Sequence, residues 1–478
     1  VNIDVNAGKF GSFTSYRRQQ AEGWQLNPYE ENSKTHELGE TGKVASTGFY
    51  ANTVNQKFTF DATDKLSFYA RGGYYDNKTR RPYEAYDYNI LHETFNYGIG
   101  AQYMINKGNY ITADCYADHF SSSYCFFKDN KTYNGKAGEE QVRKRTRNHN
   151  LSIKGIFKLG NRHKLSVGTE YIVDVLKSQT DNIAKEDAYT LALFAQDEIK
   201  LLRNLQALIG VRYIYHENFK NHATPNVALM YKPGKFNFRA SYAAGFRTPT
   251  LSELYATDIA KKNDRLTIGN LDLKPEKNNY FSLSAEYVHE RFSVSVNAFY
   301  NNIRDMIDYN TIATGDKAME QYGHKEVRQR DNIAEAKVHG INVSANAYLG
   351  AGFNLSGGYT HLNTQDVELE QPIDKSIKNA YNINAQWAHS WKIYRLNINL
   401  NGRFNSKRFS KSYGYAPEYQ LWDLNTRHSF NLKSVIIEPG CGMENLFDYM
   451  DDRPYNSNYA TLTPGRSFYI SLSLKFKS

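Results

Sequence analysis

The stretch Ser467–Phe476, SFYISLSLKF, decides the fold. Successive side chains of an extended chain point to opposite faces, so Phe468, Ile470, Leu472, Leu474 and Phe476 share one side, and Ser467, Tyr469, Ser471, Ser473 and Lys475 share the other. One face suits hydrocarbon and the other suits water. Residues 394–404 carry the same pattern: Tyr394, Leu396, Ile398, Leu400 and Phe404 alternate with Arg395, Asn397, Asn399, Asn401 and Arg403. Asn and Arg at every second position cannot line a dry core, because each would be buried without water to hydrogen-bond it. Shorter versions run through Phe281, Leu283, Ala285 and Tyr287, and through Phe292, Val294, Val296 and Ala298.

A soluble antiparallel sandwich also alternates, but its strands run about five or six residues, whereas these run roughly ten to fifteen. A tilted strand needs about ten residues to cross the hydrocarbon. Connection length alternates too. Short turns fall at Asp61–Lys65, Asn106–Gly108, Lys232–Lys235, Val288–Arg291 and Leu349–Gly352, and between them lie long polar stretches at 21–45, 77–91, 121–146, 248–277, 303–333 and 449–465. Short turns at one end and long loops at the other mark a transmembrane antiparallel β-barrel of the outer-membrane kind. The fold class is all-β, with about 21 strands visible as one barrel domain over residues 1–478. Antiparallel closure demands an even number, so 22 strands are expected, the absent one lying before Val1 or near Arg18–Gly23.

Composition agrees with a wet lumen and aromatic girdles. The chain holds 38 Tyr and 26 Phe, yet only 40% of its residues are apolar and its mean hydropathy is -0.67. No apolar run approaches the 18 or so residues of a spanning helix, the most apolar stretch being Ala188–Ala195. Cys115 and Cys125 could join only if the chain reverses between them, since one strand would hold them roughly 33 Å apart, and with Cys441 they make no thiolate metal site. The net charge of +9 is spread along the chain, which argues against nucleic acid as a partner. Its tightest cluster, Arg143, Lys144, Arg145 and Arg147, is read as a solvated loop. The 13 histidines are scattered without metal-ligand spacing, and no Ser/His/Asp set is visible, so no catalytic residue, metal or cofactor is expected.

Two further stretches carry a resemblance. SYAAGFRTPTLSELY (Ser241–Tyr255) and GNLDLKPEKNNYFSLSAEY (Gly269–Tyr287) together resemble the paired signature of TonB-dependent outer-membrane receptors, and ENLFDYMDDRPYNSNYATLTPGRSFYISLSLKF (Glu444–Phe476) is similar to that family's closing hairpin. The phrase EGWQLNPYEE (Glu22–Glu31) resembles receptors from Bacteroidetes. Through this resemblance Phe246, Arg247, Pro249, Glu253, Leu254, Tyr255, Asn270, Leu271, Lys274, Pro275 and Glu276 are motif positions that shape the loop base, and Phe476 is the assembly signal. Asn270-Leu271 stands where the family has Asn-Pro, and Lys477 and Ser478 follow the terminal aromatic. The first strand would run from Val1 to about Lys9, with a turn at Phe10-Gly11-Ser12. No plug domain or TonB box precedes Val1, so the resemblance implies that both lie outside this stretch.

The implied function is TonB-dependent uptake of a scarce nutrient complex, an iron–siderophore, haem or cobalamin. The implied partners are the TonB–ExbB–ExbD complex acting through the plug, the lipid bilayer with its lipopolysaccharide, and a surface lipoprotein. Tyr83, Tyr86 and Tyr88 offer rings and hydroxyls to a substrate, and Tyr322 and His324, with His36, offer haem ligands. A passive porin-like channel is the alternative, since a barrel of this size without a plug leaves an open lumen.

Overall fold

The computed structural model describes residues 1–32, 35–260 and 264–477. Residues 33–34 and 261–263, in two of the long loops, and residue 478 lie outside the described residues. Among the described residues there are 27 strands and two short helices. Six strands of three or four residues are loop ribbons: Tyr29–Glu31, Leu38–Glu40, Thr257–Ala260, Arg265–Ile268, Arg408–Ser410 and Gly414–Ala416. The remaining 21 form the wall, each bonded antiparallel to the next in sequence. No helix is long and apolar enough to cross a membrane.

The two faces of the wall differ as the alternation requires. Nearly every strand shows large apolar side chains to the outside, among them Leu283 at 63% and Ile99 at 64% exposure. A continuous belt of this kind is a lipid-facing surface. The inner face is polar and bonded to itself. Asn384 donates to the amide oxygens of Asn399 and Asn401 at 2.6 and 2.5 Å, the Ser241 and Ser282 hydroxyls meet at 2.7 Å, and Arg212 reaches Glu170 at 2.5 Å. At the short-turn end, Gly352 has φ +87° and a Cβ there would fall 2.0 Å from the Ala388 carbonyl oxygen, so that turn requires glycine.

Several expectations are corrected. Residues 18–21 hold no gap. Phe10–Ala21 is one strand, paired without interruption to Phe49–Phe60 through Arg17↔Thr53 and Arg18↔Asn52, and a strand inserted there would break that ladder. The first turn is Gly8-Lys9, with Ala7 opposite Phe10. The basic cluster at 143–147 belongs to the strand Glu140–Leu159 and is not a solvated loop. Much of 303–333 is strand as well. Phe292–Thr314 and Glu326–Gly350 continue past the membrane belt and are joined by helix α2 (Gly315–Tyr322), because their mutual ladder keeps the backbone bonded where no lipid demands it. One expectation stands: Cys115 and Cys125 lie on one strand, Asn109–Phe126, and both are free.

The first wall strand, Asn2–Ala7, and the last, Ser467–Phe476, run in the same direction, and no ladder joins them among the described residues. At the long-loop end the seam is nevertheless tied. Trp24 Nε1 donates to the Leu462 carbonyl at 2.8 Å, Asn27 Nδ2 to the Asp452 carbonyl at 2.6 Å and Asn456 Nδ2 to Glu30 at 2.7 Å. The Tyr455 amide donates to the Tyr29 carbonyl at 2.7 Å. The first and last long loops thus hold the two ends of the sheet together.

The two-solvent wall makes a prediction at adjacent residues of one strand. Val296, 41% exposed, faces outward, and Asn297 opposes Ser284 and Asn342 on the wet face. Val296→Arg is expected to cost about 2–4 kcal/mol, as a cation in the hydrocarbon does, and Asn297→Arg close to nothing. Unfolding midpoints from the heat-dependent gel shift of the folded barrel distinguish the two, and equal midpoints would contradict the assignment of faces.

Candidate substrate vestibule and its base

Strand Phe236–Arg247 stops where Pro249 removes a ladder donor, and the chain turns into helix α1, Leu251–Tyr255. Thr250 caps the helix reciprocally: its Oγ1 accepts from the Glu253 amide at 3.2 Å while Glu253 Oε2 accepts from the Thr250 amide at 2.7 Å. Arg247 then clamps two carboxylates. Its Nη1 and Nη2 donate to Glu253 at 2.9 and 3.2 Å, and its Nε and Nη2 donate to Glu276 at 2.8 and 2.6 Å. Arg247 and Glu276 are cross-strand partners, so the clamp fastens the start of the loop to its end. Burial alone would raise the Glu253 carboxyl, but Arg247 and the Thr250 amide together hold it below the usual carboxylate range.

The other motif positions gather around this clamp. Leu254 and Leu273 are buried with Ile307, and Tyr255 packs on them. Phe246 stacks on His222 with ring centroids 4.7 Å apart. The Asn270 amide donates to the Glu253 carbonyl at 3.0 Å, and Asn270 Oδ1 accepts from the Asp272 amide. Leu271 is 67% exposed. The Lys274 amide donates to Asn332 at 2.7 Å, and Pro275 leads directly into the strand that begins at Glu276.

At the loop ends of Leu66–Arg80, Tyr88–Asn106, Asn109–Phe126 and Glu140–Leu159, aromatic rings and cations collect on one side of the mouth. Arg81 lies 3.6 Å over the Tyr86 ring and 4.8 Å over the Tyr88 ring. Tyr88 stacks on Tyr124 at 4.1 Å, and Tyr133 meets both rings edge-on at 5.7 and 5.1 Å. Arg143 sits 5.4 Å from Tyr124 and 4.9 Å from Tyr133. It is the extra residue of a bulge: the partners of Ser122 and Ser123 are Lys144 and Val142, and such slips re-aim a side chain. Tyr83 stacks on Phe127 at 5.4 Å, with Lys128 3.7 Å over its ring. Burial first, then the Tyr88 phenol, pushes the Tyr133 hydroxyl above its usual range, so it stays a neutral donor. Two guanidinium nitrogens in this cluster, Arg81 Nη1 and Arg143 Nε, are buried without a hydrogen-bond partner. Beside them opens a cavity of about 560 Å³, lined by Tyr133, Gln141, Arg143, Lys144, Lys177 and Gln179.

Tyr322 and His324 lie outside this cluster. Tyr322 packs against the buried Ala313, Ala318 and Val327, and His324 Nδ1 lies 2.8 Å from Asp264. His36 pairs with Glu31 at 2.7 Å. Among the described residues no group of His, Cys, Asp and Glu could hold a metal ion. Sequence reading passed over Arg81, Tyr124 and Tyr133 and set Arg143 in a solvated loop, because nothing local joins them. They meet only through the ladder that sets Tyr88 opposite Phe126; an Arg directly before a Tyr-rich loop was the one visible signal.

Residues 4–445 match the family model described as "TonB dependent receptor-like, beta-barrel". Among solved structures, a mutant of the ferric enterobactin receptor PfeA from Pseudomonas aeruginosa superposes with a TM-score of 0.83 at 15% identity, covering 99% of this chain and 76% of that one. The siderophore receptor PirA from Acinetobacter baumannii gives 0.75 at 15% identity over 98% and 75% of the two chains. The FrpB iron transporter from Neisseria meningitidis gives 0.74 at 14% identity over 99% and 78%.

Two predictions follow from the base and the seam. Arg247→Ala leaves Glu253 and Glu276, whose side chains are 13% and 15% exposed, without their cation. The expected loss is about 3 kcal/mol, at the low end for a broken buried pair because the Arg247 side chain is itself 42% exposed. Arg247→Lys should recover less than half, since an ammonium cannot fork to two carboxylates; urea unfolding of the barrel measures both. At the seam, Lys43 lies 2.7 Å from Glu30 and holds its carboxyl below the usual range. A depressed carboxylate stabilises above the ordinary carboxylate pKa and loses that contribution as pH falls through its folded value. Protease nicking of the first loop is therefore expected to rise below about pH 4 and stay flat from pH 5 to 8, and Glu30→Gln should abolish the difference.

Proposed function

The chain belongs to the TonB-dependent receptor β-barrel family, outer-membrane transporters and not enzymes, and we propose that the nutrient it takes inward is an anionic iron–siderophore complex rich in aromatic rings. The observation that carries this reading is the pair of buried, unpartnered guanidinium nitrogens, Arg81 Nη1 and Arg143 Nε, set among stacked tyrosines. A buried charged donor without an acceptor costs free energy, and a ligand supplying anionic oxygens relieves it with charge-assisted bonds worth about 1.5–3 kcal/mol each. The rings of Tyr83, Tyr86, Tyr88, Tyr124 and Tyr133 supply flat faces on which aromatic ligand groups stack. Two of the similar structures, a ferric enterobactin receptor and a siderophore receptor, lean the same way. Haem has less support, because Tyr322 is packed against Ala313, Ala318 and Val327 and the ring–cation cluster of Arg81, Tyr88, Tyr124, Tyr133 and Arg143 contains no histidine.

In this reading the loops capture the chelate and a plug domain inside the wall hands it inward on contact with TonB–ExbB–ExbD. The polar inner face offers Ser, Asn and Arg groups for such a plug, as at Ser241, Ser282, Asn297 and Arg239. One strand rising between Ser467–Phe476 and Asn2–Ala7 would satisfy both open edges and bring the wall to 22 strands, because the two edges run in the same direction. The Glu22–Glu31 phrase is the support for a Bacteroidetes source and for a surface lipoprotein seated on the loops.

The test uses the full native gene in a deletion strain. Growth on a ferric catecholate as sole iron source should depend on the gene, and growth on haem or cobalamin should not. Arg81→Ala and Arg143→Ala are each expected to weaken binding of that chelate about tenfold, the equivalent of one charge-assisted bond. Dependence on the gene for haem or cobalamin alone would sink the substrate assignment. A large, steady current through the purified full-length protein would favour the passive channel.

A further inference from the structure

The tight turn 179–182 stands between the vestibule cavity and helix α1, and it is bonded to both. Toward the vestibule, the Gln179 amide donates to the Arg143 carbonyl at 2.8 Å and Arg143 Nη1 donates to Gln179 Oε1 at 2.9 Å. Toward the helix, the Thr257 amide donates to the Asp181 carbonyl at 2.8 Å, and Ser252 Oγ donates to Asp181 Oδ2 at 2.8 Å. Ser252 lies in α1 beside the Glu253 that Arg247 clamps. The turn is cross-bonded within itself: the Asp181 amide donates to Ser178 Oγ at 3.1 Å, Ser178 is buried, and Asn182 closes the turn with φ +53°. It thus joins the substrate cavity to the loop base.

One cation is shared across this joint. Lys144 is the cross-strand partner of Ser178 and lines the cavity of about 560 Å³ beside Arg143. Its ammonium lies 3.5 Å from an oxygen of Asp181, the same Oδ2 that Ser252 bonds. Both side chains are partly exposed, Lys144 at 35% and Asp181 at 20%, so the ammonium is free to turn into the cavity on its four-carbon stem. A second carboxylate stands behind the first. Asp258, in the ribbon strand Thr257–Ala260, is pushed above the usual carboxylate range by burial first and then by the Asp181 charge, with Arg265 easing it only in part. The Lys144 ammonium therefore sits where it offsets the repulsion between Asp181 and Asp258.

We propose that Asp181 is a positioning residue that holds Lys144 in place of the substrate's anionic group, and that an anion entering the cavity draws Lys144 away and loosens α1 and Thr257 from the turn. This rests on the anionic-substrate reading above and adds to it a link from the cavity to the loop base. Arg143, whose Nε is buried without an acceptor, lines the same cavity and gives an incoming anion its hold. With Lys144 turned to that anion, Asp181 and Asp258 face each other with one cation fewer, and like charges in a half-buried place repel. The bonds strained by that repulsion are those that Ser252 and Thr257 make to Asp181. The internal carboxylate also sets selectivity, because a neutral ligand leaves the ion pair closed and an anion opens it.

The test uses the purified full-length protein in detergent, a ferric catecholate as probe, and hydrogen exchange of the segment 251–260. Asp181→Asn keeps an oxygen for Ser252 and the backbone carbonyl for Thr257 but gives up the charge. It is expected to bind the chelate about threefold to fivefold more tightly, the scale of a partly exposed ion pair, whereas loss of a residue that only props up the fold would weaken binding. The chelate should speed exchange of the segment about threefold in the unaltered protein and leave it unchanged in Asp181→Asn. Lys144→Gln, with no chelate added, should speed it by the same factor, and combining it with Asp181→Asn should restore the slow rate. Asp181→Asn binding no more tightly than the unaltered protein overturns the proposal, and so does Lys144→Gln exchanging at the unaltered rate. Failure of the unaltered protein to bind the chelate is a failure of the substrate reading, and the chelate-free exchange then decides the role of Asp181 by itself.

Discussion

Inside hydrocarbon no backbone N–H or C=O can turn to water, so each must find its partner within the protein. Twenty consecutive antiparallel ladders meet that demand here, and the rest of the molecule is arranged around them. The ladder forces the period-two side-chain pattern, the pattern forces two faces, and the faces meet different solvents. It also explains why, among the described wall strands, the first and the last are left with an open edge, and why the first and last long loops are bonded across that seam through Trp24, Asn27, Glu30, Tyr455 and Asn456.

Beyond the membrane that demand lapses, and side chains take over from the ladder. Arg247 does at one corner of the rim what many backbone bonds do below it, joining a strand end, a helix start and the next strand through two carboxylates. Helix α1 is only five residues long and would not persist alone. It is held by the Thr250–Glu253 box and by Leu254 packing on Leu273 and Ile307. Strands that continue upward, Phe292–Thr314 and Glu326–Gly350, carry a second small core at Ala313, Ala318 and Val327, so the loop layer is built and not merely tethered.

The handling of charge follows the same geometry. Four basic residues within five positions look alike in a list, yet the bulge turns Arg143 toward Tyr124, Tyr133 and Gln179, whereas alternation sends Arg145 and Arg147 outward above Leu151. One short stretch thereby serves the mouth and the outer surface. Nothing in the residue types announces the split, since it depends on where one extra residue enters the ladder.

Alternation in Ser467–Phe476 and in residues 394–404, long strands and unequal connections were enough to determine the barrel, its orientation of loops and turns, and its 21 wall strands, because those are consequences of backbone bonding that every residue obeys. The Ser241–Tyr255 and Gly269–Tyr287 phrases were legible as a pair because a clamp between Arg247, Glu253 and Glu276 needs those residue types at those places. Tertiary structure alone decided that Arg18–Ala21 continues a strand, that 143–147 is wall and not loop, and that Tyr88, Tyr124, Tyr133, Arg81 and Arg143 form one cluster. Such contacts are set by register and by side chains from distant segments meeting in space, and a linear reading carries the first only where no bulge intervenes and the second not at all.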